Sequence, residues 1–179
     1  MALIFGYGSL VAPGTISALG GRDPVRARLP GWSRSWNVCT DNTANGPVVY
    51  EEVVDGSRPP IQVLFLTIEP VSLSSAAGSE PAAAPAGVEG VLFGLPDDGL
   101  PALDAREGNY TRIPVFGTAW TYTARPESAE RARRGIAAGT ARIRRDYVDI
   151  VTEAFGAHEG IPGLEPLPAP VVPLVRRLR

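Results

Sequence analysis

The apolar runs of this chain are short and are set apart by glycine and proline, so the polypeptide must turn often. The 20 glycines and 18 prolines among 179 residues are about a fifth of the chain, well above average but short of low complexity. Ala2-Leu3-Ile4-Phe5, ended by Gly6-Tyr7-Gly8-Ser9, has the pattern of a buried strand delivering a glycine turn. Strand character returns within Val25 to Val38, broken by Pro30-Gly31, and again over Ile61 to Ile68, where β-branched and aromatic residues mark a central strand. Val88 to Leu95 reads as another buried strand, and Tyr110 to Phe116 with Ala119 to Thr123 as a hairpin around Gly117. Asp41 to Pro47 is saturated with turn formers and is expected to be loop.

Leu100 to Glu107 fits a short helix or turn. From Thr140 the pattern becomes helical: Ile143, Tyr147, Ile150, Val151, Ala154 and Phe155 share one face, and Gly156 suits the end. Ser72 to Gly87 is almost entirely Ser, Ala, Gly and Pro, which cannot bury enough to order itself, so 72–87 is expected to be a mobile insertion. Prolines at 162, 166, 168, 170 and 173 forbid a helix in the tail, 162–179, which is expected to lie extended on the body. Strands over the first two thirds and helix in the last third predict an α+β fold: a mixed, partly closed, barrel-like β-sheet with flanking helices. At roughly 100–200 residues per domain, 1–179 reads as a single domain.

All 17 basic residues are arginine, which excludes a lysine Schiff base and a lysine-containing phosphate loop. A net charge of -2 and a pI near 5.5 give no electrostatic reason to expect nucleic acid or an anionic membrane as partner. One cysteine and one histidine rule out a disulfide framework and supply too few ligands for the usual zinc site, so no metal is expected. No apolar stretch approaches the roughly 18 residues of a spanning helix, and no basic region precedes Ala2, so the cytoplasm is the expected location. Nothing in the sequence sets an oligomeric state.

Two clusters could carry chemistry. In Gly6-Tyr7-Gly8-Ser9-Leu10, a glycine turn directly after a buried strand leaves successive backbone N–H groups free to bind an anion, or else serves backbone geometry alone. It is no dinucleotide fingerprint, because Val11 stands where a third glycine is needed, and no nucleophile elbow on Ser9, because Tyr7 and Val11 flank it. In Leu103-Asp104-Ala105-Arg106-Glu107-Gly108-Asn109-Tyr110, Glu107 is either a general acid/base in a dry pocket or half of a solvated Arg–Glu pair. Cys39 and His158 read as a core cysteine and a surface histidine, and Trp32, Trp36 and Trp120 as packing residues. The arginines at 131, 133, 134, 142, 144 and 145 read as one basic helix surface in solvated pairs.

Taken in order, FGYGSL near the N-terminus, V-x-G-V-L-F-x-L over Val88 to Leu95 and L-D-x-R-E-x-x-Y over Leu103 to Tyr110 resemble the gamma-glutamylcyclotransferase superfamily, with its ChaC-like and AIG2-like members. Tyr147 to Pro162 is similar to that family's late helix and the segment after it, so the resemblance runs from Leu3 to about Pro162.

The resemblance implies a gamma-glutamylcyclotransferase-like fold and the cyclisation of a γ-glutamyl amide to 5-oxoproline with release of an amine or amino acid. It implies that Tyr7, Gly8, Ser9 and Leu10 hold the substrate's α-carboxylate, largely through backbone N–H groups. Glu107 is the implied acid/base, taking a proton from the α-ammonium before the freed amine attacks its own γ-carbonyl. Tyr110 and Tyr147 match family tyrosines and either line the pocket or sit satisfied in the core. The nucleophile lies within the substrate, so no cofactor is required, and the implied partner is a small γ-glutamyl molecule. Ser9 is followed directly by Leu10, as in the ChaC-like pattern, whereas many cyclotransferases carry an intervening Asn. The 41–60 and 72–87 regions match nothing in the family and leave the departing amine open. Two rivals remain at this stage: a non-catalytic binding protein on the same fold, and a serine hydrolase using Ser9.

Overall fold

Ala2–Gly6 forms strand β1, and its apolar run is explained by its place as the middle strand of a five-stranded sheet, with Ile4 and Phe5 fully buried. The computed structural model describes residues 1–44, 46–71, 87–158, 164 and 166–179. The insertion expected over 72–87 lies outside the described residues except for Gly87. β1 is antiparallel to β6 (Gly87–Leu95), with Ile4 opposite Phe93, and parallel to β8 (Ala119–Ala124), with Ile4 opposite Trp120. β2 (Arg22–Pro30) and β7 (Tyr110–Val115) complete the order β2-β6-β1-β8-β7.

A second sheet contains β3 (Trp32–Asp41), β5 (Gln62–Pro70), β9 (Ala141–Arg144) and β10 (Val171–Val172), in the order β10-β9-β5-β3. β5 is antiparallel to β3 and parallel to β9. Its alternation splits the core: Leu64, Leu66 and Ile68 join the main apolar cluster, while Val63, with Ile61 just before the strand, joins a smaller one with Tyr50 and Leu174. That smaller cluster sits where β4 (Val48–Glu52) pairs antiparallel with β11 (Leu174–Leu178).

Side chains stitch the two large sheets together at both seams. Ala124 N–H of β8 donates to Thr67 Oγ1 of β5 (2.9 Å), and Tyr110 OH of β7 donates to Leu66 O (2.8 Å). Across the other seam, Arg34 Nη2 of β3 donates to Glu89 O of β6 (2.6 Å). The sheets are therefore mixed and partly closed, with no continuous hydrogen-bond ladder around them.

Four helices flank them among the described residues: α1 (Pro13–Ala18), α2 (Leu100–Arg106), α3 (Pro126–Ala137) and α4 (Arg145–Gly156). α3 docks on the edge strand β3 through buried Ser128, whose hydroxyl accepts from Cys39 N–H (3.1 Å) and donates to Cys39 O (2.9 Å).

The structure corrects several sequence expectations. The late helix starts at Arg145 and not near Thr140; residues 141–144 form β9, and Ile143 is a fully buried strand residue. The arginines expected on one helix surface are divided: 131, 133 and 134 lie on α3, 142 and 144 on β9, and 145 opens α4. The Gly/Pro-rich 41–60 region holds β4, and α1 and α3 appear where no helix was expected.

Candidate active site

The turn after β1 is held by Val11 N–H on Gly8 O (2.9 Å) and Ala12 N–H on Ser9 O (3.3 Å). These bonds leave the N–H groups of Gly8, Ser9 and Leu10 outside the turn's own pairing, like the first donors of any helix. Glycine is needed here for close approach. A Cβ at Gly6 would stand 2.6 Å from Leu10 O, and one at Gly8 would stand 3.2 Å from Tyr147 OH.

Glu107 reaches the same place because of its spacing from Leu103. Glu107 caps α2 four residues after Leu103, its N–H bonded to Leu103 O, so burying Leu103 completely draws Glu107 inward at the helix end. Glu107 O then accepts from Tyr110 N–H (2.8 Å), and this tight turn sends Tyr110 into β7. Asp104, on another face of α2, accepts a hydrogen bond from Tyr122 OH (2.8 Å) and pairs with Arg112 (3.4 Å).

These elements meet around a small cavity of about 20 Å³, the size of one water, lined by Tyr7, Gly8, Ser9, Leu10, Leu66, Glu107, Tyr110, Tyr122 and Tyr147. All seven site residues expected from the sequence are in that wall. Tyr122 and Leu66 were not expected, and neither carries a local signal beyond being a strand residue.

The Glu107 side chain is 13% exposed, and burial raises its pKa above the usual carboxylate range, opposed in part by Arg106. Arg106 Nε lies 3.5 Å from Glu107 Oε1, and its Nη2 donates to Ser9 Oγ at 3.3 Å. Ser9 thus accepts from a guanidinium, which does not activate a nucleophile. The Cys39 thiol is fully buried against Ser128, and burial pushes its pKa to about 11, so it is inert. Among the described residues, no three His, Cys, Asp or Glu side chains come together as metal ligands.

The tyrosines do different work. Tyr7 OH donates to Tyr122 O (2.6 Å) and Tyr110 OH to Leu66 O, so both protons are committed to carbonyls. Tyr147 OH instead accepts from Leu66 N–H (3.4 Å), which leaves its own proton available to the cavity. Burial raises all three phenols, and the Glu107 carboxylate adds to the effect, so they remain donors. Leu66 can serve two tyrosines because β9 pairs with β5 only as far as Leu64. On the β3 side a bulge sets Trp36 and Asn37 opposite Leu66.

Two mixed sheets stitched along their seams, with a glycine turn and a buried carboxyl at one end, make the gamma-glutamyl cyclotransferase fold. The chain is similar to a solved yeast gamma-glutamyl cyclotransferase specific to glutathione, with a TM-score of 0.51 and 14% identity over 93% of this chain and 90% of that one. It is also similar to an uncharacterized protein from Homo sapiens (TM-score 0.49, 16% identity, covering 93% of this chain and 90% of that one). YkqA from Bacillus subtilis follows with a TM-score of 0.42 and 16% identity, covering 91% of this chain and 56% of that one. No family model matches the sequence, and no curated protein matches it. At this identity the likeness speaks to the fold. No helix among the described residues is long and apolar enough to cross a membrane.

Proposed function

We propose that the chain is a cytoplasmic gamma-glutamylcyclotransferase-type enzyme, with residues 1–179 acting as one domain. The observation that carries this reading is a buried carboxyl, Glu107, sharing one cavity with the amide-bearing turn at Gly8 to Leu10. The turn's N–H groups take the substrate's α-carboxylate, which brings the α-ammonium to Glu107. Glu107 accepts one ammonium proton, and the freed amine attacks the γ-carbonyl carbon to close the five-membered ring. The amide C–N bond then breaks as the departing nitrogen takes that proton from Glu107, and the ring nitrogen gives up its own extra proton, by way of Glu107, to the same amine, so that 5-oxoproline and an ammonium are released. Tyr147, whose oxygen accepts from Leu66 N–H, donates its proton to the carbonyl oxygen as negative charge develops there in this reading. A carboxyl raised toward neutrality suits both directions of this transfer.

The cavity is of single-water size, so substrate entry requires its rim to move. Arg106, 37% exposed and resting on Ser9 and Glu107, is the side chain that can swing aside. The experiment is mass-spectrometric detection of 5-oxoproline from a panel of γ-glutamyl amino acids, γ-glutamyl amines and glutathione. Wild type is expected to release it and Glu107→Gln is not. Binding without release by folded wild type would instead support the non-catalytic reading.

A further inference from the structure

A second and larger cleft, about 600 Å³, opens between β3 and β6. It lies at the end of the first sheet where β1 delivers the glycine turn, because Val88 and Glu89 precede Val91, the partner of Gly6. Three contacts join it to the Glu107 cavity. Leu66 lines both, the Trp36 ring meets the Tyr147 ring edge-on at 5.9 Å, and Arg34 Nε donates to Tyr7 O at 3.1 Å.

Among the described residues, Arg34 of this cleft forms no ion pair. Arg34 is half-buried, yet both of its hydrogen bonds among the described residues go to neutral carbonyls, Tyr7 O and Glu89 O. The nearby Glu89 carboxylate is engaged by Arg26 (3.4 Å) and Arg28 (3.6 Å). One face of the guanidinium lies over the Phe155 ring at 4.7 Å, and burial lowers its pKa to about 10, opposed in part by Tyr147, Tyr7 and Glu89. The neighbouring wall residue Ser35 has a buried hydroxyl with no hydrogen-bond partner among the described residues. Trp32, Val88, Leu164 and Pro168 give the wall its apolar surface, and Arg28 and Ser33 line it as well.

We propose that this cleft holds the amine-side half of the substrate and selects a leaving group with a free carboxylate and an apolar side chain: an apolar amino acid or a peptide beginning with one, not a polyamine. The carboxylate meets Arg34 as a charge-assisted pair, and the side chain lies against Trp32, Leu164 and Pro168. An ammonium in the same place would meet a like charge. The assignment rests on the cyclotransferase reading and names its substrate class.

The test compares γ-glutamyl-phenylalanine with γ-glutamyl-phenethylamine, which differ only in the leaving group's carboxylate. Wild type is expected to favour the former in kcat/KM by about tenfold or more, and Arg34→Gln to bring the ratio close to one. Both substrates carry the same γ-glutamyl head, so damage to the glycine turn through the lost Tyr7 contact cancels in the ratio. Pro168→Glu, which adds a negative charge at an exposed wall position and leaves Arg34's bonds intact, is expected to reverse the preference. Equal rates with wild type, or a preference that survives both variants, would overturn the assignment while leaving the cyclotransferase reading intact. If neither substrate is turned over, release of 5-oxoproline from the wider panel decides that reading, and calorimetry with N-acetyl-phenylalanine and N-acetyl-phenethylamine decides the cleft. Binding selective for the carboxylate and lost in Arg34→Gln upholds the cleft, and unselective or absent binding overturns it.

Discussion

A carboxyl kept from water folds more readily with its proton on, and Glu107 is such a group. Its folded pKa is raised above the ordinary 4.5, so its contribution to stability is intact below that value and is lost as pH rises through the raised one. Glutamine has the same shape and does not titrate. Glu107→Gln is therefore expected to melt higher than wild type at pH 8, by about 2–4 °C for each kcal/mol recovered. The gap should close as the buffer is taken below the ordinary value, while 5-oxoproline release is absent throughout. Melting curves across that pH range check the first part, and a gap that does not depend on pH would show that the carboxyl is not desolvated. Arg106 works in the opposite direction, since its positive charge lowers the Glu107 pKa. Arg106→Gln is expected to move the acid limb of kcat/KM to higher pH, which a pH–rate profile reads directly.

At the scale of elements, two glycines should behave oppositely. Gly6→Ala places a methyl 2.6 Å from the Leu10 carbonyl oxygen, a backbone atom of the turn that cannot yield without undoing the site. Gly14→Ala, in α1, meets nothing within 4 Å and gains about 0.5–1 kcal/mol from reduced backbone entropy. Thermal melts should show the first destabilised and the second slightly stabilised. Local signals of this kind made much of the molecule legible: the glycine turn after β1, the hairpin of β7 and β8, and the Leu103, Glu107, Tyr110 spacing were all visible in sequence. What was not legible depends on distant pairing. β9 looked helical because Ile143 falls in phase with Tyr147, and only parallel partners on both sides make it a strand. β4 sits in a turn-rich stretch and exists because Glu51 pairs with Val175 near the other end of the chain. Arg34 carried no motif, and its importance follows from the seam it bridges.

At the scale of the whole molecule, the candidate site depends on two sheets being held at a fixed separation by single hydrogen bonds. Thr67 is fully buried on β5, and its hydroxyl is the acceptor for Ala124 N–H at the end of β8. Two residues back on β8, Tyr122 supplies the carbonyl that receives the Tyr7 proton, and one residue back on β5, Leu66 holds Tyr110 and Tyr147. Thr67→Val preserves shape but leaves Ala124 N–H without that acceptor, at a cost of about 1–3 kcal/mol. A melting point lower by about 2–4 °C per kcal/mol is expected, with faster amide exchange at Ala124 than at the central strand β1. If the seam also sets the spacing of the tyrosines, kcat should fall further than the loss of folded protein explains, because Tyr110 comes from the first sheet while Leu66, which holds it and Tyr147, belongs to the second. A variant that melts lower yet keeps full kcat per folded molecule would make the seam a matter of stability alone, with the site held by β1 and its turn.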